Sequence, residues 1–180
     1  MSRLTTRKEA DLLAETLDAL VPVRMNSKLA DVYLQFANSE PALRAYLHME
    51  ASIREGSLEL REAEALKLWV SQQTGCDYCL SVHSFKAKQA GLNPEAQIAI
   101  RKGQQIGEPR LDCLLKVAAH LFRHPRILPS ELLEEAYAVG FTAENLVDLT
   151  MVMSTIFFTN ITNHINDTQS PLPPAKKLSD

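Results

Sequence analysis

The sequence predicts a single all-α domain, and three observations predict it. Apolar residues recur at helical spacing along most of the chain, and no run of strict alternation supports a strand. Helix-opening residues (Ser, Thr, Asn, Pro) and helix-closing glycines bracket the periodic segments, with only 6 Gly in all. The 180 residues are enough to bury a core without disulfide or metal support.

In chain order, Lys8–Leu20 carries Ala10, Leu12, Leu13, Leu17 and Leu20 as an amphipathic stripe, which Pro22 ends. A second helix is expected over Ser27–Phe36 and a third from Pro41 to about Ser57, with Pro41 in its first turn. The fourth, Leu60–Gln73, buries Ala63, Leu66, Trp69 and Val70, and Gly75 closes it. A fifth spans roughly Cys76–Ala90 before Gly91. Asn93-Pro94-Glu95 then supplies a cap, a first-turn proline and an acid for a helix reaching Gly103. A seventh covers Leu111–Phe122 and stops before His124-Pro125. Ser130 opens an eighth that ends at Gly140. Thr142 opens a long last helix to about Ile165, apolar over much of its circumference and so expected at the centre of the fold or in a subunit interface. One domain, residues 1–168, is expected with fraying ends, followed by a Pro-containing extended arm over 169–180.

Composition narrows the function. The net charge is −3 with no long basic run, which argues against nucleic-acid binding. The most apolar stretch, Leu146 to Ile161, holds Asp148 and Asn160 and falls short of the roughly 20 residues a membrane span needs. Acidic residues arrive early, without the apolar core of a signal peptide, so a cytoplasmic protein is expected, with no membrane association. Three cysteines, an odd count, do not suit a secreted disulfide framework.

Chemistry concentrates in Gly75-Cys76-Asp77-Tyr78-Cys79-Leu80-Ser81-Val82-His83. Two cysteines three apart at a helix start share a face and can close a short disulfide ring. His83, four residues beyond Cys79, lies one turn along that face. Free N–H groups at the helix start and a nearby imidazole both favour thiolate, and a thiolate with a second cysteine in reach can carry two-electron redox chemistry. The position of His83 favours Cys79 as the attacking thiol, with Cys76 resolving. The helix end itself favours Cys76. A three-ligand zinc site on Cys76, Cys79 and His83 is an alternative, although structural zinc ordinarily takes four ligands. Cys113 is expected to be a core thiol, and His48, His120 and His124 surface or satisfied residues.

Glu64, twelve residues before Cys76, completes the pattern Glu-x11-Cys-x2-Cys-x3-His. This pattern resembles the alkylhydroperoxidase AhpD-like proteins of the carboxymuconolactone decarboxylase superfamily. Arg61–Ser71, Gly91-Leu92 and the Ala138–Glu144 turn before an apolar helix are similar to that family too, so the resemblance covers roughly residues 40 to 165. It implies an all-α fold, a homo-oligomer (trimer or hexamer), a hydroperoxide substrate and an external dithiol or disulfide reductase as electron donor. It implies no cofactor and no metal. By position, Cys79 becomes peroxidatic, Cys76 resolving, and His83 with Glu64 a proton relay. Spacing alone does not choose Glu64 over Glu62. One departure is Tyr78, where peroxidase members can carry histidine, and it leaves the substrate open. A decarboxylase-type enzyme, or a non-enzymatic thiol sensor or zinc module, are the alternatives.

Overall fold

The computed structural model describes residues 2–24, 27–124 and 126–178. Among them the secondary structure is helical: α1 (Ala14–Leu20), α2 (Asp31–Phe36), α3 (Glu40–Glu55), α4 (Leu60–Thr74), α5 (Asp77–Gln89), α6 (Pro94–Lys102), α7 (Pro109–Arg123), α8 (Ser130–Ala138) and α9 (Ala143–Asn166). Short 3-10 turns lie at Glu9–Asp11 before α1, at Val21–Val23 after it and at Ala37–Ser39 before α3. None of the helices is long and apolar enough to cross a membrane.

The centre of the fold is α4. Ten consecutive residues from Glu62 to Ser71 are buried, so this helix has no water-facing side over almost three turns. It packs against α5, α6, α7 and α9. Local chemistry starts it: Glu59 and Glu62 form a reciprocal capping box in which Glu62 Oε2 accepts from Glu59 N at 3.0 Å. Gly75 stops it at φ 71°, with its N–H on Gln72 O at 3.2 Å and Cys76 N on Ser71 O at 3.0 Å. The chain thereby reverses in two residues and lays α5 along α4.

At the other end of the core, Thr142 and Asn145 cap α9 reciprocally. Asn145 Nδ2 also reaches Ser57 Oγ at 2.8 Å, and Asp148 Oδ2 accepts from Ser57 N at 2.6 Å. The α3–α4 loop is therefore tied to the start of α9. Gly56 permits this approach, since a Cβ there would lie 2.8 Å from Asp148 Oδ2.

Two expectations need correction. The predicted Lys8–Leu20 helix is broken: Leu12 and Leu13 are extended, and α1 begins only at Ala14. The break lets Leu12 bury itself and Leu13 N donate to Glu40 Oε2 at 2.9 Å, a tertiary gain that outweighs local helix propensity. The predicted Ser27–Phe36 helix starts at Asp31, because Ser27 sits at φ 62°, outside the right-handed helical region. Near both ends the described residues are tied to the rest of the fold. Arg3 N bonds Asn166 O at 3.0 Å, and in the predicted arm Ala175 packs on the core while Lys176 O accepts from Arg101 Nη1 at 2.7 Å. Pro125, placed after the seventh helix, and Ser179 and Asp180 at the arm's end lie outside the described residues.

Candidate active site

Cys76 is the N-cap of α5, and its sulfur accepts from Cys79 N at 3.3 Å. One of the helix's first free N–H groups thus points at sulfur, an arrangement that favours negative charge there. Cys76 and Cys79 have their sulfurs within bonding reach and their Cα atoms 5.3 Å apart, and both are almost fully buried. Cys79 sits one turn inside the helix. Its sulfur receives a different donor: Asn163 Nδ2 of α9, at 3.4 Å.

His83, one turn further along α5, is buried, and its Nδ1 is 2.8 Å from Glu64 Oε2 of α4. The two helices face each other along their lengths, which is what brings residues nineteen apart in sequence into contact. Glu62 takes another direction. It caps α4 and pairs with Arg110 Nε at 2.7 Å, so the choice between the two glutamates falls on Glu64.

Burial lowers the His83 pKa, with attraction to Glu64 opposing, so the ring is neutral at neutral pH. For Glu64, burial alone would raise the carboxyl. The His83 ring facing it, the hydrogen bond they share, and Lys67 and Lys86 outweigh burial and hold it below the usual carboxylate range. A neutral imidazole that donates Nδ1–H to an ionised carboxylate keeps its Nε2 lone pair available, and the ring is oriented as a base.

Sulfur and base share a space. Cys79 and His83 both line a small pocket of about 60 Å³. Cys76 instead lines a groove of about 710 Å³ whose far wall is the C-terminal arm. Glu64 lines a third opening of about 400 Å³, which shares Lys86 with the Cys79 pocket.

Sequence reasoning missed several members of this site. Asn163 is one; its signal is an Asn pair, Asn160 and Asn163, one turn apart inside the most apolar helix. Asn160 donates to Thr74 Oγ1 at 2.7 Å and pins α9 to the α4–α5 turn, while His164 reaches Thr74 O at 3.0 Å and borders the Cys76 groove. Lys67 is another. Its ammonium is buried one turn from Glu64 and paired with Glu50 at 2.8 Å. The phenols of Tyr33 and Tyr46 also border the cavity, and burial pushes Tyr33 up to about 12. Cys113 is a free, buried thiol, as expected, and burial raises its pKa. Among the described residues no cluster of three or more His, Cys, Asp or Glu could hold a metal ion.

Fold and site together define an all-helical protein with a buried cysteine pair backed by a histidine–carboxylate couple. Residues 40–106, which contain Glu64, Cys76, Cys79 and His83, match the carboxymuconolactone decarboxylase family. A crystal structure of an AhpD-core, peroxidase-related protein from Ralstonia eutropha JMP134 superposes with a TM-score of 0.82 at 17% identity, covering 94% of this chain and 92% of that one. The debrominase Bmp8 superposes with a TM-score of 0.76 at 18% identity, over 93% and 91%. The uncharacterized protein YdfG of Bacillus subtilis (strain 168) is 22% identical over 117 residues, 63% of this chain and 79% of the relative. These matches show that the chain has the fold of the AhpD-like structures and that residues 40–106 are similar to the carboxymuconolactone decarboxylase family.

Proposed function

We propose that the protein is a thiol-dependent peroxidase that reduces a hydroperoxide through a Cys76–Cys79 redox-active disulfide. The observation that carries this reading is the shared cavity. The one sulfur that borders a neutral, carboxylate-oriented imidazole is Cys79, and its partner thiol is already within bonding reach.

The steps follow from these groups. His83 Nε2 takes the Cys79 proton across the cavity, and Glu64 stabilises the imidazolium. The Cys79 thiolate attacks one peroxide oxygen. The S–O bond forms, the O–O bond breaks, and the departing oxygen takes the proton back from His83, which leaves Cys79 as sulfenic acid. Cys76 then attacks the Cys79 sulfur: the S–S bond forms, the S–O bond breaks, and water leaves with the Cys76 proton. An external dithiol returns the pair to the reduced state and is itself oxidised to a disulfide.

The test is a peroxide titration of the reduced protein with mass spectrometry of its cysteines. Wild type is expected to form the Cys76–Cys79 disulfide, and Cys76→Ser to hold a sulfenate on Cys79. Oxidation landing first on Cys76, or sparing both while Cys113 reacts, overturns the assignment. Stoichiometric zinc bound to unreactive thiols would favour the metal-module alternative instead.

A further inference from the structure

The central helix α4 presents polar chemistry in two directions. Glu64 meets His83 of α5, while Trp69 borders an open pocket of about 430 Å³ formed with α7, α8 and the α6–α7 loop. No residue of this pocket borders the three spaces around Cys76, Cys79 and Glu64. Its volume falls in the range of roughly 300–1,000 Å³ usual for small-molecule sites. Buried apolar groups make its floor: the Trp69 indole, Leu115 of α7 and Leu132 of α8. The rim is basic, with Lys116, His120, Arg123 and His124 carried by α7 and its C-cap.

Trp69 is 1% exposed and meets Phe122 edge-on, with ring centroids 5.4 Å apart. Its Nε1 lies on the side of Gly103, a pocket residue, where an added Cβ would stand 3.9 Å from it. That N–H forms no hydrogen bond among the described residues. Buried indole N–H groups ordinarily find an acceptor, so the fold presents an unmet donor to the pocket. The charged groups sort the same way. Asp112 is committed, its two oxygens accepting from Ile106 N at 2.8 Å and Gly107 N at 3.1 Å. Glu135 pairs with Lys116. Arg123 is exposed and has no carboxylate partner among the described residues, and the His120 and His124 rings meet each other with centroids 5.5 Å apart. The uncommitted groups are therefore N–H donors, one of them permanently cationic, around an apolar floor.

We propose that this pocket binds a small organic carboxylate, its apolar body on Trp69, Leu115 and Leu132 and its oxygens accepting from Trp69 Nε1–H and Arg123. The planar guanidinium matches the two oxygens of a carboxylate, and charge-assisted bonds of this kind are roughly twice as strong as neutral ones. A neutral molecule of the same shape forfeits the Arg123 contact. Inorganic phosphate forfeits the floor, because it has no apolar surface to remove from water. The site is independent of the peroxidase reading, since it shares no residue with the cysteine pair or its relay.

Trp69 is the single tryptophan of the chain, so its fluorescence reports the pocket directly. The probe is phenylacetate titrated into the whole protein, with phenylacetamide and inorganic phosphate as the two comparisons. Phenylacetate is expected to change the emission saturably, and phenylacetamide to bind at least about tenfold more weakly. Arg123→Gln, an exposed change, should weaken phenylacetate by about tenfold while leaving thermal unfolding where it was. Trp69→Phe, followed by calorimetry, should weaken it as well, and Arg123→Gln decides the matter alone if that variant does not fold. The double variant Cys76→Ser, Cys79→Ser should bind as wild type does. Emission that does not saturate at millimolar phenylacetate overturns the proposal, as does equal binding of phenylacetamide or an Arg123→Gln protein that binds undiminished. Phosphate that competes on equal terms with phenylacetate overturns the apolar half of the assignment. Loss of binding in the cysteine double variant would move the ligand to the cysteine site and overturn the pocket.

Discussion

At the scale of single residues, the protonation of His83 governs the chemistry. Its ring faces Glu64 of α4, with Lys67 and Lys86 nearby and Glu50 beyond Lys67. Burial depresses its pKa below the ordinary histidine value of 6.5, so the free base persists as pH falls through 6.5. The pH at which Cys79 oxidation has fallen to half its plateau rate should therefore lie below 6.5. His83→Ala and Glu64→Gln should slow oxidation at pH 7 by about 10²-fold, the usual contribution of a positioned base. Their deficit should shrink above the ordinary thiol pKa of about 8.5, where thiolate forms without help. Stopped-flow oxidation across pH reads both effects, and undiminished rates in both variants at pH 7 would remove the relay. Spacing exposed Cys76, Cys79 and His83 because helix periodicity is local. It could not show that Glu62 turns to Arg110 while Glu64 turns to His83, since that depends on the packing of α7 and α5 on α4. Asn163 lies 84 residues from the sulfur it touches, beyond the reach of any local pattern.

At the scale of elements, the α4–α5 turn sets the cysteines at a helix start. Gly75 holds φ 71°, and an added Cβ would meet nothing within 4 Å. The cost of Gly75→Ala is therefore conformational rather than steric, about 1 kcal/mol. For a domain of this size that lowers Tm by about 2–4 °C. Gly75→Asn should recover part of the loss, because asparagine tolerates the left-handed region. Thermal unfolding of the three proteins checks this, and an alanine variant as stable as wild type would refute it. Boundaries were legible wherever the signal was contained in the turn itself. Asn93 caps α6 through Ala96 N at 2.8 Å and Gly103 ends it, and Thr142 caps α9. They were illegible where a distant group intervened, as Glu40 does at Leu13, because a periodic stripe says nothing about which partner will compete for its backbone.

At the scale of the whole molecule, the all-α architecture was legible because hydrophobic periodicity is its direct imprint, whereas the docking of both ends was not. The N-terminal segment and α2 converge on Asn166, and the arm on Arg101, through hydrogen bonds between residues far apart in sequence. The apolar circumference of α9 is only partly used by this packing. Its inner face meets α3, α4 and α5, while Ile161 and Ile165, one turn apart, stay 49% and 56% exposed, and Val147 near its start is 65% exposed. Scattered exposed aliphatics are ordinary, but two on one stripe of the longest helix make a surface suited to a second copy. We propose that this stripe lies in the interface of a homo-oligomer, which the family resemblance implies to be a trimer or hexamer. Burying one isoleucine contributes about 1.5–3 kcal/mol. Ile161→Asp and Ile165→Asp together should thus weaken assembly by several orders of magnitude, at about tenfold per 1.4 kcal/mol. Light scattering coupled to size exclusion should show wild type as a multiple of 20.1 kDa and the double variant as a helical monomer. A wild-type monomer at micromolar concentration, or a double variant that assembles unchanged, would remove α9 from any interface.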